Sequence, residues 1–254
     1  MPRRDWADYL ARFHASHAGV TERAFQHASH GVHGSPYDWL VQALPEPSGC
    51  VLDAACGNAA VQPRLPPGTD YLGVDISPAE LAAAGHLGRG PVVRGDLRGL
   101  PLPDASFDAV VSSMGLMLVD PVETAFGELA RVLRPGGVLV LLLPATSPIR
   151  PSDLRPLLRL AGTLRGPGSM PQLITGRRAG RLVQESGLRL AENRSARFSF
   201  RLDSPSATHL AVHALYTPGR TREQLARAER ALARLGPQAE LPVPLRRVVA
   251  VKPA

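Results

Sequence analysis

The sequence predicts an α/β protein built on a mostly parallel sheet, with helices on both faces. Three observations carry this. From residue 50 onward short apolar runs alternate with amphipathic stretches, the order that strand–helix–strand crossovers require. The run Val51-Leu52 leads through Asp53 into a small-residue turn centred on Gly57, and a second run, YLGVDIS, ends at Asp75, 22 residues after Asp53. In open parallel sheets an acid about 20 residues beyond the first loop stands at the tip of the next strand, where it can accept hydrogen bonds from a ribose. Finally, LRRVVAVK (245–252) reads as a closing strand.

Taken in order, residues 4–16 place Trp6, Tyr9, Leu10 and Phe13 on one helical face, at i, i+3, i+4 and i+7. Residues 20–30 continue helical, and Ser35-Pro36 starts a helix through Leu44. Pro45 to Gly49 form a linker, so residues 1–45 make a helical appendage ahead of a domain spanning 46–254. Strands are expected at 50–54, 70–75, 91–94, 107–112 and 138–143. The helix after the first strand must be short, because Pro63, Pro66 and Pro67 follow almost at once. Ser77-Pro78 opens a helix over 79–87, and residues 121–133 form another that Arg134-Pro135-Gly136-Gly137 stops. Beyond Pro144 the pattern becomes a cap on the core (50–144), with lid elements within 145–220. An amphipathic lid helix covers 153–165, Gly166, Pro167 and Gly168 make a flexible connection, Thr175 caps a helix through Ser186, a strand follows at 188–202, and a charged helix at 221–235.

Composition narrows the class. Hydrophobic content of 44% in 254 residues supports a substantial core and excludes wholesale disorder. The longest clean apolar run, VLVLLL at 138–143, is far too short to cross a bilayer, and MPRRDWADYL has no apolar signal region. A cytoplasmic protein without integral membrane association is expected, with Cys50 and Cys56 as reduced thiols. The net charge of +7 is uneven: residues 146–202 hold 11 Arg against Asp153, Glu185 and Glu192. That segment is either arginine on solvated faces or a cap that attracts an anionic substrate.

Four stretches, VLDAACGNA, YLGVDIS, RGDLRGLPLPDASFDAVVSS and ELARVLRPGGVLVLLLP, together resemble the class I S-adenosylmethionine-dependent methyltransferases over residues 50–144. The resemblance implies a Rossmann-like fold of seven strands whose last is antiparallel, and S-adenosyl-L-methionine as cofactor. It assigns the Gly57 turn to the methionine portion, with Asp53 orienting the loop and Ala55 and Cys56 contributing backbone. Asp75 would take the ribose hydroxyls, with Ile76 flanking the adenine. Asp96 would accept from the adenine amine beside Leu97, and Ser112 and Ser113 would lie near the sulfonium. Ala55 and Ala59 stand where the family usually has Gly. Ala59 fits a helix start, whereas Ala55 requires φ < 0 or about 1–2 kcal/mol of backbone strain.

A sulfonium methyl is already activated, so the chain need only align a nucleophile and, for an acidic acceptor, remove a proton. Histidine suits that task near neutrality, and His14, His17, His27, His30 and His33 crowd the amino-terminal segment. His14, beside Phe13, is the candidate base. Tyr9, Phe13, Met114 and Met117 are expected to line the acceptor pocket. No acid or Cys joins these histidines at ligand spacing, so no metal is expected. The expected activity is methyl transfer to a small molecule, such as a secondary metabolite. The alternatives are methylation of RNA or another polyanion, for which few aromatics interleave with the arginines, and a non-methylating cyclase on the same fold.

Overall fold

The computed structural model describes residues 3–164 and 171–254; the expected connection at Gly166, Pro167 and Gly168 lies outside them. Its centre is one eight-stranded sheet. The strands are β1 (Ala28–Ser29), β2 (Cys50–Ala54), β3 (Asp70–Asp75), β4 (Val92–Arg94), β5 (Phe107–Ser113), β6 (Leu133–Pro144), β7 (Arg189–Arg201) and β8 (Glu240–Val251), in the order β1-β7-β8-β6-β5-β2-β3-β4. β4, β3, β2, β5 and β6 run parallel, and β8 lies antiparallel between β6 and β7. The seven expected strands are therefore present, and the eighth, β1, is a two-residue edge strand on β7. It interrupts the helix expected over 20–30, which ends at Gln26.

Burial explains the central strands. Val51, Leu52, Ala54, Val110, Val111 and Leu139 to Leu142 are fully buried, because helices cover both faces of a parallel sheet and its strands must be apolar on both sides. On one face α5 (Val122–Val132) and α7 (Gly176–Glu185) cover Leu52, Val110, Leu139 and Leu141. On the other, α3 (Pro36–Val41) brings Tyr37, Trp39 and Leu40 against Val51, Val111 and Val140. Lys252, the only lysine, sends its Nζ to the carbonyls of Ala130 (2.8 Å) and Leu133 (2.7 Å), neutralising the negative end of α5. Gly137 has to lack a side chain, since a Cβ there would lie 2.8 Å from the Arg134 carbonyl.

Four further helices flank the sheet: α1 (Arg3–His17), α2 (Val20–Gln26), α4 (Pro78–His86) and α6 (Leu154–Leu164). After β2 only a 3-10 turn forms, at Gln62–Arg64, as the prolines require. Two more helices, α8 (Pro205–His213) and α9 (Arg222–Ala233), form a hairpin in the cap. It shares a third core with Leu164, Phe200 and Leu241. α6 packs against this hairpin and lines no part of the main cavity, contrary to the lid expected of it. The arginine-rich segment is tied down by its own ion pairs. Arg197 grips Asp153 through two bonds (2.7 and 2.5 Å), both side chains buried, and Arg178 reaches Glu123.

Candidate active site

At the carboxyl ends of β2, β3 and β5 the structure opens a cavity of about 1390 Å³. This is where a parallel sheet binds ligands, because loops diverge there around the strand ends. The turn after β2 supplies one wall. Cys56 N–H donates to the Val74 carbonyl, anchoring the turn on β3, and Gly57 N–H donates to Asp75 Oδ2 at 2.8 Å. Ser77 N–H holds the other Asp75 oxygen at 2.8 Å, so this carboxylate is fixed at its strand tip. Gly57 has φ +54, and a side chain there would point toward Glu80. Its absence leaves the backbone open to close approach.

Both alanines that replace expected glycines adopt the left-handed region, Ala55 at φ 59 and Ala59 at φ 56. No helix begins at Ala59, so its fit to a helix start does not hold. The Ala55 methyl is accommodated because Gly115 lies opposite; a Cβ on Gly115 would collide with it at 2.3 Å. The backbone cost at Ala55 is about 1–2 kcal/mol, offset in part by the smaller entropy of the unfolded alanine. Ala55→Gly is therefore expected to stabilise the protein by about 0.5–1 kcal/mol, raising Tm by about 2 °C in a thermal melt. A lowered Tm would show that the methyl's packing outweighs the strain.

Asp53 is 1% exposed and receives one bond, from the Tyr71 hydroxyl to Oδ2 at 3.0 Å; Oδ1 has no partner. Burial, followed by the neighbouring Asp75 charge and against the Tyr71 bond, pushes its pKa up to about 7. The Ser113 hydroxyl on the cavity wall is likewise buried without a partner. Asp96 is held well below the ordinary carboxylate range, chiefly by hydrogen bonds from the Arg98 guanidinium at 2.6–3.1 Å. Ile76 and Leu97 complete this end, with Ile76 exposed and Leu97 buried.

α1 closes the opposite wall with Trp6, Leu10 and His14, at i, i+4 and i+8. His14 Nδ1 meets Glu80 Oε1 at 2.9 Å, and the Tyr216 hydroxyl approaches Nε2 at 3.3 Å. Glu80 Oε2 also accepts from Gly19 N–H at 2.9 Å, which pins the α1–α2 junction to α4. Burial and the nearby Glu80 and Asp75 charges push the Tyr216 pKa up, so the phenol keeps its proton and donates to Nε2. A neutral ring that accepts this bond carries its one proton on Nδ1, toward Glu80.

Four expected site residues are not on the cavity wall. Tyr9 and Phe13 lie one step round α1: Tyr9 accepts from Thr217 N–H at 2.8 Å, and Phe13 packs on Tyr216 at 4.9 Å. Met117 is buried in the core beneath, whereas Met114 does reach the cavity. Ser112 points to the other face of β5, because alternate strand residues face opposite ways. The remaining expected residues, Asp53, Ala55, Cys56, Gly57, Asp75, Ile76, Asp96, Leu97, Ser113 and His14, all line the cavity. Glu80, Tyr216, Trp6 and Leu10 line it too without having been singled out for it. The other crowded histidines pack on aromatic rings: His17 stacks on Phe13 and His33 on Trp39, while His27 and His30 lie tilted against Phe200 and Phe198.

Charge on the wall is lopsided. Asp8, Glu22, Asp53, Asp75, Glu80, Asp96 and Asp120 face Arg94, Arg98 and His14. The arginine-rich segment contributes only Pro171 and Gln172 among the described residues; some of its arginines instead border a separate cavity of about 360 Å³ beside His30 and His33.

Residues 52–141 match the family model described as a methyltransferase domain. Over 105 residues the chain is 41% identical to malonyl-[acyl-carrier protein] O-methyltransferase of Herminiimonas arsenicoxydans, a match covering 40% of each protein. Over 108 residues it is 40% identical to demethylmenaquinone methyltransferase of Thermus thermophilus, covering 39% of this chain and 49% of that one. The chain thus matches less than half the length of either relative. Among solved structures, the YcgJ protein of Bacillus subtilis superposes with a TM-score of 0.60 at 17% identity, over 86% of this chain and 98% of that one. At that identity the likeness is one of fold.

Proposed function

Because the chain belongs, through the core around residues 52–141, to the class I S-adenosylmethionine-dependent methyltransferases, we propose that it methylates an uncharged small molecule bearing an acidic O–H or C–H. The observation that carries this is the meeting, around one cavity, of the Gly57 turn, the Asp75 carboxylate it donates to, and the chain Glu80–His14–Tyr216. The residues fit the cofactor: a buried, unpartnered Asp53 oxygen suits a cationic amine, Asp75 suits a diol, and Asp96 suits an exocyclic amine. When bound, S-adenosylmethionine supplies the activated methyl group. The turn leaves room for it, Asp53 and Asp75 orient it, and α1 excludes water.

His14 Nε2 takes the acceptor's proton, displacing the Tyr216 hydroxyl, while Glu80 keeps the ring oriented and stabilises its charged form. The acid-rich wall argues against an anionic acceptor and against a polyanion entering here. The relatives are named for methylating malonyl-[acyl-carrier protein] and demethylmenaquinone, and of these the ring-bearing, uncharged acceptor is the better match to the wall.

The test is calorimetric titration with S-adenosylmethionine, followed by incubation with phenols, quinols and 1,3-dicarbonyl compounds. Stoichiometric demethylated cofactor is expected. Failure to bind the cofactor would overturn the proposal; bound cofactor without demethylated product would favour the cyclase. Since Asp53 ionises near pH 7 and only its ionised form attracts a cation, affinity should rise as pH increases from 6 to 8. Asp53→Asn should flatten that rise. A flat wild-type profile would remove Asp53 from the cofactor's surroundings.

A further inference from the structure

The cap contains a second constellation, away from the main cavity. His209 and His213 lie one turn apart on α8, at i and i+4, so their rings share one helix face. The rings stack at 4.0 Å between centroids, 17° from parallel. Glu229, on the neighbouring α9, brings a single oxygen to both: Oε1 lies 3.3 Å from His209 Nδ1 and 2.7 Å from His213 Nε2. Among the described residues this is the one group of three or more His, Cys, Asp or Glu side chains whose ligand atoms converge, all within 4.8 Å of one another.

We propose that His209, His213 and Glu229 form a site for a divalent transition-metal ion, zinc in particular, that clamps the α8–α9 hairpin. Two neutral imidazoles and one carboxylate are a ligand set suited to zinc, with a fourth position left for water. A tetrahedral ion with bonds of about 2.0–2.1 Å separates its ligand atoms by about 3.3 Å. The His209–Glu229 separation already matches this; to bind, the His213–Glu229 pair must open by about 0.6 Å and the stacked imidazoles must rotate so that the in-plane lone pairs of both nitrogens converge, a movement open to the largely exposed His209 ring. Magnesium is a poor match, because it prefers oxygen ligands in an octahedron.

The position gives the clamp a purpose. The α8–α9 loop begins directly after His213 and carries Tyr216 and Pro218 to the cavity wall, and Thr217 N–H to Tyr9. The hairpin itself packs through Ala207, Ala211, Val212, Ala228 and Leu232 against Leu164, Phe200, Leu202 and Leu241. An ion bridging the two helices adds a polar constraint to this apolar packing, and it fixes the loop that presents Tyr216 to His14.

The test uses the full chain, freed of affinity tags and stripped with chelator, titrated with Zn2+ by calorimetry and followed by thermal melting, with Mg2+ as the control. One Zn2+ per chain is expected, with Tm rising by about 5–10 °C at ~100-fold excess over Kd, and no response to Mg2+. His209 is largely exposed, so His209→Ala should fold normally yet lose Zn2+ affinity at least tenfold. His213→Ala and Glu229→Gln should do likewise. Zinc binding that survives in His209→Ala and His213→Ala would place the ion among the amino-terminal histidines and overturn the proposal. Failure of the wild type to bind Zn2+ would also overturn it, leaving the three side chains as an ordinary helix–helix hydrogen-bonded contact.

Discussion

Gly57→Val is expected to weaken S-adenosylmethionine binding by at least about 100-fold, or about 2.7 kcal/mol, while the far-ultraviolet circular dichroism stays that of the wild type. Two effects combine. The residue sits at φ +54, where a β-branched side chain is strained by about 1–2 kcal/mol or more. The added atoms also project toward Glu80, whose oxygen would lie 3.5 Å from the new Cβ, and so occupy the approach to the turn. The strain alone is small against a typical domain stability of about 5–15 kcal/mol, so the fold persists. Gly57→Ala separates the causes, since it brings most of the backbone strain and little of the obstruction. A folded Gly57→Val protein with wild-type affinity would show that the cofactor does not approach this turn.

His14→Gln is expected to lower kcat by about 10²–10⁴-fold with cofactor affinity changed only a few-fold. The amide can still donate to Glu80 and keep α1 against the core, but it cannot accept a proton. The substitution therefore distinguishes proton removal from mere closure. The measurement is steady-state turnover with an acceptor found in the metabolite screen. If His14 serves only to hold α1, His14→Gln will keep nearly full turnover and His14→Ala will not.

Much of this site was legible because parallel-sheet chemistry is local. The run Val51 to Asp53, the turn at Gly57 and the strand-end Asp75 lie on consecutive elements, so spacing alone brings them together. The same holds for Asp96, Leu97 and Ser113. Tyr216 was not legible: it reaches His14 only because the loop between α8 and α9 folds back onto α1, a contact across 202 positions of sequence. Glu80 reads as an ordinary third residue of a capped helix, yet its side chain leaves the cap and crosses to Gly19 and His14. α8 was not foreseen: Ser204-Pro205 repeats the start of Ser35-Pro36 and Ser77-Pro78, but the small residues that follow give no strong apolar period. β1 has no pattern of its own and exists by pairing with Ser199 and Phe200. The face of α1 was displaced by one step, since Tyr9 and Phe13 satisfy the cap loop, a neighbour the helix period cannot reveal.

The acid-rich wall bears on how turnover would end. A surface on which carboxylates outnumber cationic groups, even with Glu22 paired to Arg89 and Asp96 to Arg98, holds a cationic occupant more firmly than one that has lost its positive charge. Under the proposed reaction the spent cofactor is the less charged species, so the wall's grip loosens once the methyl group has left. Added salt, which screens the wall, should narrow the gap in affinity between the fresh and the spent cofactor.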